Sequence, residues 1–306
     1  MSNTQINMIV SFGRWLLKTI YRLSRHRKYH HNKNYWYFFR VRRSNDGSIK
    51  SVKHRLKKIR FDTDYVNGGD PARDLLLIAT GPSVRDFDAN ILKEYEGDIM
   101  GVNGAIALSG VGFRYYCIID PSFVRNKKTL VRSIVCTRNI TLFCNCAALC
   151  EILGIIQHED IVCSVSLMDM IPDNTYLPIN GAARVLTPDD KGYHWFNDYG
   201  FSHNADRGIF DYGTVTFAAL QVAVSLGYRR ILILGLDMNN FNAPRFYESR
   251  ENMQPTHLES DYDAIMGGFS AAADYCKLNN IKVLNLSPCS SVKVFPVIDI
   301  SQVLSN

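Results

Sequence analysis

Short apolar runs alternate with helix-length segments along most of the chain after residue 66. Each run is apolar throughout, which indicates a strand that is covered on both faces. Strands of this kind, separated by helices, are typical of a mostly parallel sheet between two helical layers. The sequence therefore predicts an α/β, doubly wound, Rossmann-like fold. The seven predicted strands are residues 75–79, 99–102, 115–119, 140–143, 161–165, 230–234 and 282–286.

Three other segments have patterns of their own. Between residues 8 and 23, apolar residues recur at helical spacing and basic residues gather on the opposite side, which predicts a basic amphipathic helix. Residues 215–226 predict a second, largely apolar helix. Residues 167–212 are rich in Pro, Asn, Asp, Gly and aromatic residues, and we expect them to form an insert that serves as a lid or a binding loop.

The formal net charge of +6 is unevenly distributed. Residues 1–60 contain 16 Lys or Arg and one acid, Asp46, which gives +15, whereas the other 246 residues carry 19 basic and 28 acidic groups, which gives −9. We therefore divide the chain into a basic arm, residues 1–66, and a globular domain, residues 67–306. An anionic membrane surface is the partner expected for residues 1–60.

Two alternatives to the membrane hypothesis remain open at this stage. The amphipathic helix could pack on its own globular domain, with its charges solvated. A basic segment with interleaved aromatic residues could also bind nucleic acid, but no nucleic-acid recognition motif is present, so we predict no nucleic-acid partner.

The sequence also bears on location. No apolar secretory segment is seen ahead of a small-residue cleavage site, and Arg14 and Lys18 interrupt the one candidate for an 18-residue apolar run. We expect a cytoplasmic protein that lies on the surface of the membrane.

Metal binding is not predicted. The eight cysteines fall mostly in apolar segments, and Cys144, Cys146 and Cys150 lack the spacing of a zinc site. The Asp-x-Asp pattern of metal-dependent sugar transfer occurs at Asp62 and Asp64 and at Asp261 and Asp263, and neither pair follows a predicted strand.

Small and polar residues follow most of the predicted strands. In a doubly wound sheet, ligands bind outside the carboxyl ends of the strands, so these residues are expected to converge on one cleft. Glycine backbone and hydroxyl groups at the start of the second predicted helix favour an anion there. The residues are Thr80, Gly81, Ser83, Asn103, Asp120, Gly235 and Asp237 after strands, and Gly213, Thr214 and Thr216 at the helix start.

The order of these residues resembles that in the bacterial lipooligosaccharide sialyltransferases and in the related MptE-like domains, over roughly residues 74–291. The basic arm, the chain length and residues 78–83 resemble the lipopolysaccharide core Kdo transferases of the WaaZ (RfaZ) type, where Kdo is 3-deoxy-D-manno-octulosonic acid. The further positions that carry the resemblance are Pro121, Ser122, Leu226, Gly227, Tyr228, His257, Ser287 and Pro288.

The resemblance implies a role for each matching residue. Thr80, Gly81 and Ser83 would lie against the donor phosphate and sugar. The nucleotide would be flanked by Asn103, Gly213, Thr214 and Thr216, and its ribose or base by Gly235 and Asp237, while Asp120 would add an acidic oxygen for sugar hydroxyls. His257 falls at the position of the sialyltransferase general base. These families use aromatic hydroxyls to support the leaving phosphate, and here Arg245 and Tyr247 are the substitutes; His194 and His203 are the fallback bases.

The predicted function is therefore transfer of a 2-keto acid sugar, Kdo first and sialic acid second, from a CMP-activated donor to a lipid-linked oligosaccharide of the lipopolysaccharide core. No cofactor and no metal are expected, and the location implied is the inner face of the bacterial inner membrane. The alternative is an MptE-like phosphotransferase or a non-catalytic protein of surface-polysaccharide assembly, for which only Asp120 and Asp237 offer acidic metal ligands at strand ends.

Overall fold

The computed structural model describes residues 3–55, 57–59, 67–300 and 302. The helices are α1 Asn3–Ser24, α2 Pro121–Asn126, α3 Lys128–Val135, α4 Cys146–Ile155, α5 Val215–Ser225 and α6 Tyr262–Leu278. The strands are β1 Phe39–Arg43, β2 Ile49–His54, β3 Lys57–Lys58, β4 Leu75–Ile78, β5 Asp98–Val102, β6 Tyr115–Ile118, β7 Thr141–Asn145, β8 Ser164–Met168, β9 Met170–Pro172, β10 Thr175–Tyr176, β11 Arg184–Val185, β12 His194–Phe196, β13 Tyr199–Phe201, β14 Ile209–Asp211, β15 Arg230–Leu234 and β16 Lys282–Asn285. Short 3₁₀ helices cover Arg27–Asn34, Pro82–Asp86, Ala89–Lys93, Asn103–Ala107, His158–Asp160, Ala205–Arg207 and Arg250–Asn252.

The centre of the molecule is a seven-stranded sheet with the strand order β16-β15-β4-β5-β6-β7-β8. Every neighbouring pair in it is parallel. The predicted doubly wound fold is confirmed, and each predicted apolar run contributes one strand. The fifth strand begins at Ser164 instead of residue 161, because residues 161–163 still belong to the preceding loop.

Both faces of the sheet are covered, as the apolar runs require. Leu75 and Leu77 pack in the core that contains α5 and α6, whereas Leu76 and Ile78 pack in the core that contains α2, α3 and α4. All four side chains are fully buried. This period-two division between the two faces is what a strand imposes on successive side chains.

Strand order reverses at β4, and this reversal locates the site. From β4 the chain adds strands in one direction as far as β8, and β15 then returns to the other side of β4. Helices that follow strands on opposite sides of a reversal lie on opposite faces, so a crevice opens at the carboxyl ends of the strands there.

The insert at residues 167–212 is more ordered than a simple loop. It contains three two-stranded pairings, of which β9 with β14 is parallel and the other two are antiparallel. Phe201, Ile209 and Phe210 from this segment are completely buried in the core on the α5 and α6 side. Most of the segment therefore builds one wall of the fold.

Residues 27–55 and 57–59 also belong to the folded body. Strands β1, β2 and β3 form an antiparallel sheet whose Phe39, Ile49 and Val52 side chains are buried with α2, α3 and α4. A buried ion pair fixes this sheet to the insert: the guanidinium of Arg43 donates to both carboxylate oxygens of Asp169, at 2.8 and 3.0 Å. The Asp169 carboxylate also accepts from the Tyr176 hydroxyl at 2.8 Å.

Helix α1 is attached along one side only. Tyr21 is buried and stacks on Trp36 with ring centroids 5.0 Å apart. Phe12, Trp15 and Leu23 lie on the opposite side of the helix and are 62%, 58% and 84% exposed. Among the described residues, no helix combines the length and the apolar content that crossing a bilayer requires.

We expect Arg43→Ala to destabilise the protein by about 3 kcal/mol, because it leaves the buried Asp169 carboxylate without its cation. Arg40→Ala, at an exposed position of the same strand, is the matched control and should change the free energy of unfolding by less than about 0.5 kcal/mol. Urea unfolding curves of the two variants measure the difference. Equal midpoints would contradict the anchoring role of Arg43.

Candidate active site

A cleft of about 630 Å³ opens at the carboxyl ends of the central strands, where the strand order reverses. The structure brings eleven of the thirteen predicted site residues into its lining. These residues are Thr80, Gly81, Asn103, Asp120, Gly213, Thr214, Thr216, Gly235, Asp237, Arg245 and His257. Ser83 and Tyr247 are absent from the lining; Ser83 donates to Asp237 of the lining, and Tyr247 packs on Gly104, the residue that follows Asn103.

The loops after β4 and β15 are held together by one carboxylate. Asp237 accepts hydrogen bonds from the Ser83 N–H at 2.8 Å and from the Ser83 hydroxyl at 2.5 Å. The Gly81 N–H donates to the Gly235 carbonyl at 3.0 Å, and the Gly235 N–H donates to the Ser287 hydroxyl at 3.0 Å. Both carboxylate oxygens of the buried Asp237 therefore accept hydrogen bonds from within the protein, and these bonds fix the shape of the cleft floor.

Gly81 is required by this close approach of the two loops. A Cβ atom at Gly81 would overlap Asp237 Oδ2 and would lie 2.5 Å from the Gly235 carbonyl oxygen. Gly235 itself has a φ of +81°, which glycine adopts at no steric cost. The two glycines thus allow backbone to form the cleft floor, where a ligand can reach N–H groups.

Asn103 is the most unusual residue of the cleft. Its backbone has a φ of +43°, and its carbonyl accepts a hydrogen bond from the buried Tyr116 hydroxyl at 2.8 Å. Its side-chain Oδ1 is buried and has no hydrogen-bond partner among the described residues. A buried polar atom without a partner costs about 1–3 kcal/mol, and such atoms are typical of sites whose partner is a ligand.

The start of α5 faces the same space. Gly213 has a φ of +95° and leads into Thr214, whose buried side chain makes no capping hydrogen bond. The first N–H groups of a helix have no partner within the helix, and the helix dipole makes this end positive. Thr214, Val215 and Thr216 all line the cleft, so this end of α5 can hold an anionic group.

Five carboxylates and the guanidinium of Arg245 line the cleft, and most of these charges are already engaged. Asp120 caps α2, accepting from the N–H and the hydroxyl of Ser122 at 2.7 and 2.8 Å. Glu248 is buried, and its carboxylate lies 3.2 Å from the Arg245 guanidinium and 3.7 Å from the Lys127 ammonium. Arg245 therefore offers a cation that is partly neutralised by its own neighbour.

Asp211 is an acid in the cleft that the sequence analysis did not select. Burial raises the pKa of its carboxyl group, and the charges of Asp173, Asp261 and Asp120 raise it further, while the N–H of Gly213 donates to it and opposes that shift. The position of Asp211 directly after the apolar pair Ile209 and Phe210 is the sequence feature that could have identified it. No comparable pattern marks Glu248, which lies in an irregular loop.

Tyr247 does not reach the surface of the cleft. Its ring packs so closely on Gly104 that a Cβ atom there would overlap it, and it makes an edge contact with Phe123 at 6.5 Å between centroids. Burial raises the pKa of the Tyr247 hydroxyl. The side chain thus supports the wall of the cleft rather than facing it.

The three candidate histidines occupy different places. His257 lines the cleft and is exposed, and its carbonyl oxygen accepts from the Asp261 N–H at 2.9 Å. His194 contacts Asp274 of α6 at 2.8 Å, and His203 stacks on Tyr275 of the same helix at 5.3 Å. His194 and His203 therefore pack against α6 outside the cleft, so the structure does not support them as bases.

A metal ligand set is not found in the described part of the chain, where no three His, Cys, Asp or Glu side chains are grouped to hold an ion. Asp62 and Asp64 lie outside the described residues. Asp261 and Asp263 stand at the start of α6, and of the two only Asp261 lines the cleft.

Comparison with known proteins first finds a matching protein family. Residues 197–301 match the family described as 3-deoxy-D-manno-octulosonic acid transferase WaaZ. The matched segment contains α5, β15, α6 and β16, and with them Gly213, Asp237 and His257. The predicted resemblance to WaaZ-type transferases is thereby confirmed over this third of the chain.

Individual relatives agree with the class. The chain is 34% identical over 104 residues to a probable 3-deoxy-manno-octulosonic acid transferase of Escherichia coli (strain K12), covering 34% of this chain and 36% of that protein. It is 30% identical over 105 residues to the probable transferase of the same name from Salmonella typhimurium (strain LT2), covering 34% of this chain and 38% of that protein. The matches thus span little more than a third of these relatives.

One solved structure has a related outline. It is the sialyltransferase CstII of Campylobacter jejuni in complex with the substrate analogue CMP-3FNeuAc. The two chains share 12% identity with a TM-score of 0.40, over 74% of this chain and 86% of CstII. We draw no functional conclusion from that likeness.

We expect Gly81→Ala to destabilise the protein by about 1–3 kcal/mol, because the added methyl group must displace Asp237 or the Gly235 carbonyl. Gly112→Ala is the matched control, since its Cβ would meet nothing within 4 Å. Thermal unfolding of both variants measures the effect. If the two variants melt together, the tight contact between the loops is not present in solution.

Proposed function

We propose that this chain is a glycosyltransferase that moves Kdo from a CMP-activated donor to a lipopolysaccharide core acceptor, without a metal ion. The observation that carries the proposal is the buried Oδ1 of Asn103, which has no partner in the described part of the chain and lies in the same cleft as the positive end of α5. The Asn103 oxygen can accept a hydrogen bond from an amino group, and the N-terminus of α5 can hold a phosphate. A nucleoside monophosphate can carry both groups. The match of residues 197–301 to Kdo transferases supports the choice of sugar.

In the proposed complex, the donor phosphate lies at the N-terminus of α5, near Thr214 and Thr216. The backbone at Thr80 and Gly81 contacts the phosphate or the sugar from the cleft floor. Asn103 Oδ1 accepts a hydrogen bond from the nucleotide. Asp237 contributes indirectly, because its carboxylate holds the floor loops in place.

Transfer needs a base, a leaving group and an acceptor hydroxyl. We assign the base to His257, because imidazole is the commonest general base in enzymes and this side chain lines the cleft. The acceptor oxygen forms a bond to C2 of Kdo as the bond from C2 to the phosphate oxygen breaks, and the proton of the acceptor hydroxyl moves to His257. CMP leaves with the electron pair of the broken bond, and Arg245 together with the α5 N-terminus stabilises its charge.

The same proposal places the protein on the inner face of the bacterial inner membrane. The exposed apolar side of α1, formed by Phe12, Trp15 and Leu23, would enter the headgroup boundary. The basic residues that follow in the arm would attract anionic lipid. The acceptor would then be drawn from the same surface.

Nucleotide selectivity tests the donor site. CMP should raise the melting temperature of the full chain, whereas GMP and ADP should not.

Asn103→Gly should weaken CMP binding roughly tenfold or more, because it removes the amide acceptor while glycine keeps the positive φ. Asn280→Gly, at another positive φ on the exposed surface, is the matched control and should bind CMP as the parent does. Indifference of the parent to CMP would refute the proposed donor site.

Replacement of the base tests the mechanism. His257→Ala should lower kcat roughly 10²–10⁴-fold with CMP affinity near that of the parent, because the base acts on the acceptor and not on the nucleotide. CMP release from CMP-Kdo in the presence of lipopolysaccharide acceptor measures turnover, and it should persist in EDTA. Unchanged kcat would exclude His257 as the base, and complete loss of activity in EDTA would exclude a metal-independent reaction.

A further inference from the structure

A second cavity, of about 480 Å³, lies between α1, the segment at residues 33–38 and α4. We call it the arm pocket. Leu17 and Lys18 of α1 form one side, and Cys150, Glu151 and Gly154 lie on the α4 side. None of the predicted donor-site residues lines it.

The charge of the arm pocket is positive. Lys18, Lys33, Arg55 and Arg125 line it, and Glu151, the one carboxylate among the described lining residues, is paired with Arg125 at 2.8 Å. His54 adds no charge near neutral pH, because burial and the neighbouring His158 lower its pKa to about 4. An anionic group is therefore the complement of this lining, and Lys and Arg side chains are the usual partners of phosphate.

The other lining groups suit a sugar headgroup. Tyr35, Trp36, Tyr37 and Phe38 are consecutive and all line the pocket. The indole N–H of Trp36 is buried and finds no acceptor among the described residues. A buried Trp N–H normally has a partner, so an oxygen of a bound molecule can supply the missing acceptor.

The pocket lies beside the exposed apolar side of α1. Leu17 and Lys18 line the pocket, while Phe12, Trp15, Leu16, Ile20 and Leu23 of the same helix are exposed. When that apolar side lies in the headgroup boundary of a bilayer, the mouth of the pocket is held at headgroup level. A lipid with its chains in the membrane can then place its headgroup in the pocket.

Helix α2 is shared between the arm pocket and the donor cleft. Pro121 lines both spaces. Ser122 and Asn126 of the helix face the cleft, whereas Arg125 faces the pocket. A sugar chain that starts in the pocket can therefore extend past Pro121 into the cleft.

We propose that the arm pocket binds the phosphorylated sugar headgroup of a membrane glycolipid and directs its outer sugars into the cleft. That the bound glycolipid is the acceptor of the reaction rests on the function proposed above. The recognition of the headgroup by the pocket does not.

Vesicle binding of the full chain tests the proposal. Vesicles of phosphatidylcholine contain either a phosphorylated lipooligosaccharide or phosphatidylglycerol, at equal anionic charge, and a soluble hexose phosphate is a third ligand. The parent should bind the glycolipid vesicles at least roughly tenfold more tightly than the phosphatidylglycerol vesicles, since the pocket adds specific contacts to the general attraction.

The variant pair is matched in charge. Lys33→Gln with Arg55→Gln should weaken binding to glycolipid vesicles roughly 30-fold, at about fivefold for each cation. Arg138→Gln with Lys293→Gln removes the same charge from exposed positions outside both the arm and the pocket and should cost less than about threefold. Lys18→Gln with Lys33→Gln is a second pocket pair, for use if the first one does not fold.

Three results would overturn the inference: equal losses in the pocket and control pairs, equal binding of the two kinds of vesicle, or a hexose phosphate that binds as tightly as the glycolipid vesicles. CMP binding, measured on the same samples, should be unchanged in both variant pairs. A parent that binds glycolipid vesicles but not CMP would refute the proposed donor site and leave the headgroup pocket in place.

Discussion

The cleft depends on the contact between Asp237 and Ser83. The strands β4 and β15 are neighbours, and the Gly81 N–H donates to the Gly235 carbonyl, yet the loops then lead to opposite faces of the sheet and need a further link. The buried Asp237 carboxylate supplies that link, since it accepts both hydrogen bonds that Ser83 can donate. A buried carboxylate is stable only when it is hydrogen-bonded in this way, so the loop geometry and the stability of Asp237 depend on each other. The result is a preformed floor for a ligand.

The central sheet could be predicted because each of its strands is marked by a local pattern in the sequence. A run such as residues 75–79 is apolar throughout, which by itself indicates burial on both faces, and parallel strands place their carboxyl ends together. That reasoning brought Thr80, Asn103 and Gly213 to one cleft without any knowledge of long-range contacts. It could not show what each side chain does there. Asp237 was predicted to contact ribose or base, whereas its carboxylate is bonded within the protein.

The remaining structure depends on contacts between distant parts of the chain, and local patterns do not reveal those. Arg43 and Asp169 are far apart in sequence, and the charge of residues 1–60 suggested a membrane-surface arm instead of a sheet bonded to the insert. Tyr247 lies behind the cleft for a similar reason: its position is set by the absence of a side chain at Gly104. The alternative weighed for the amphipathic helix was that it packs on its own domain; Tyr21 of α1 is buried, but the apolar side of the helix stays exposed.

Helix α2 lies between two proposed sites, a cleft suited to a nucleotide and a basic pocket next to an amphipathic helix. We propose that the nucleotide lies in that cleft between Asn103 and the start of α5. Hydrogen–deuterium exchange with and without CMP tests it most directly. CMP should slow the exchange of backbone amides in residues 80–83, 103–107 and 213–217 and leave residues 27–38 unchanged. Protection at the arm pocket without any at the cleft would contradict the account.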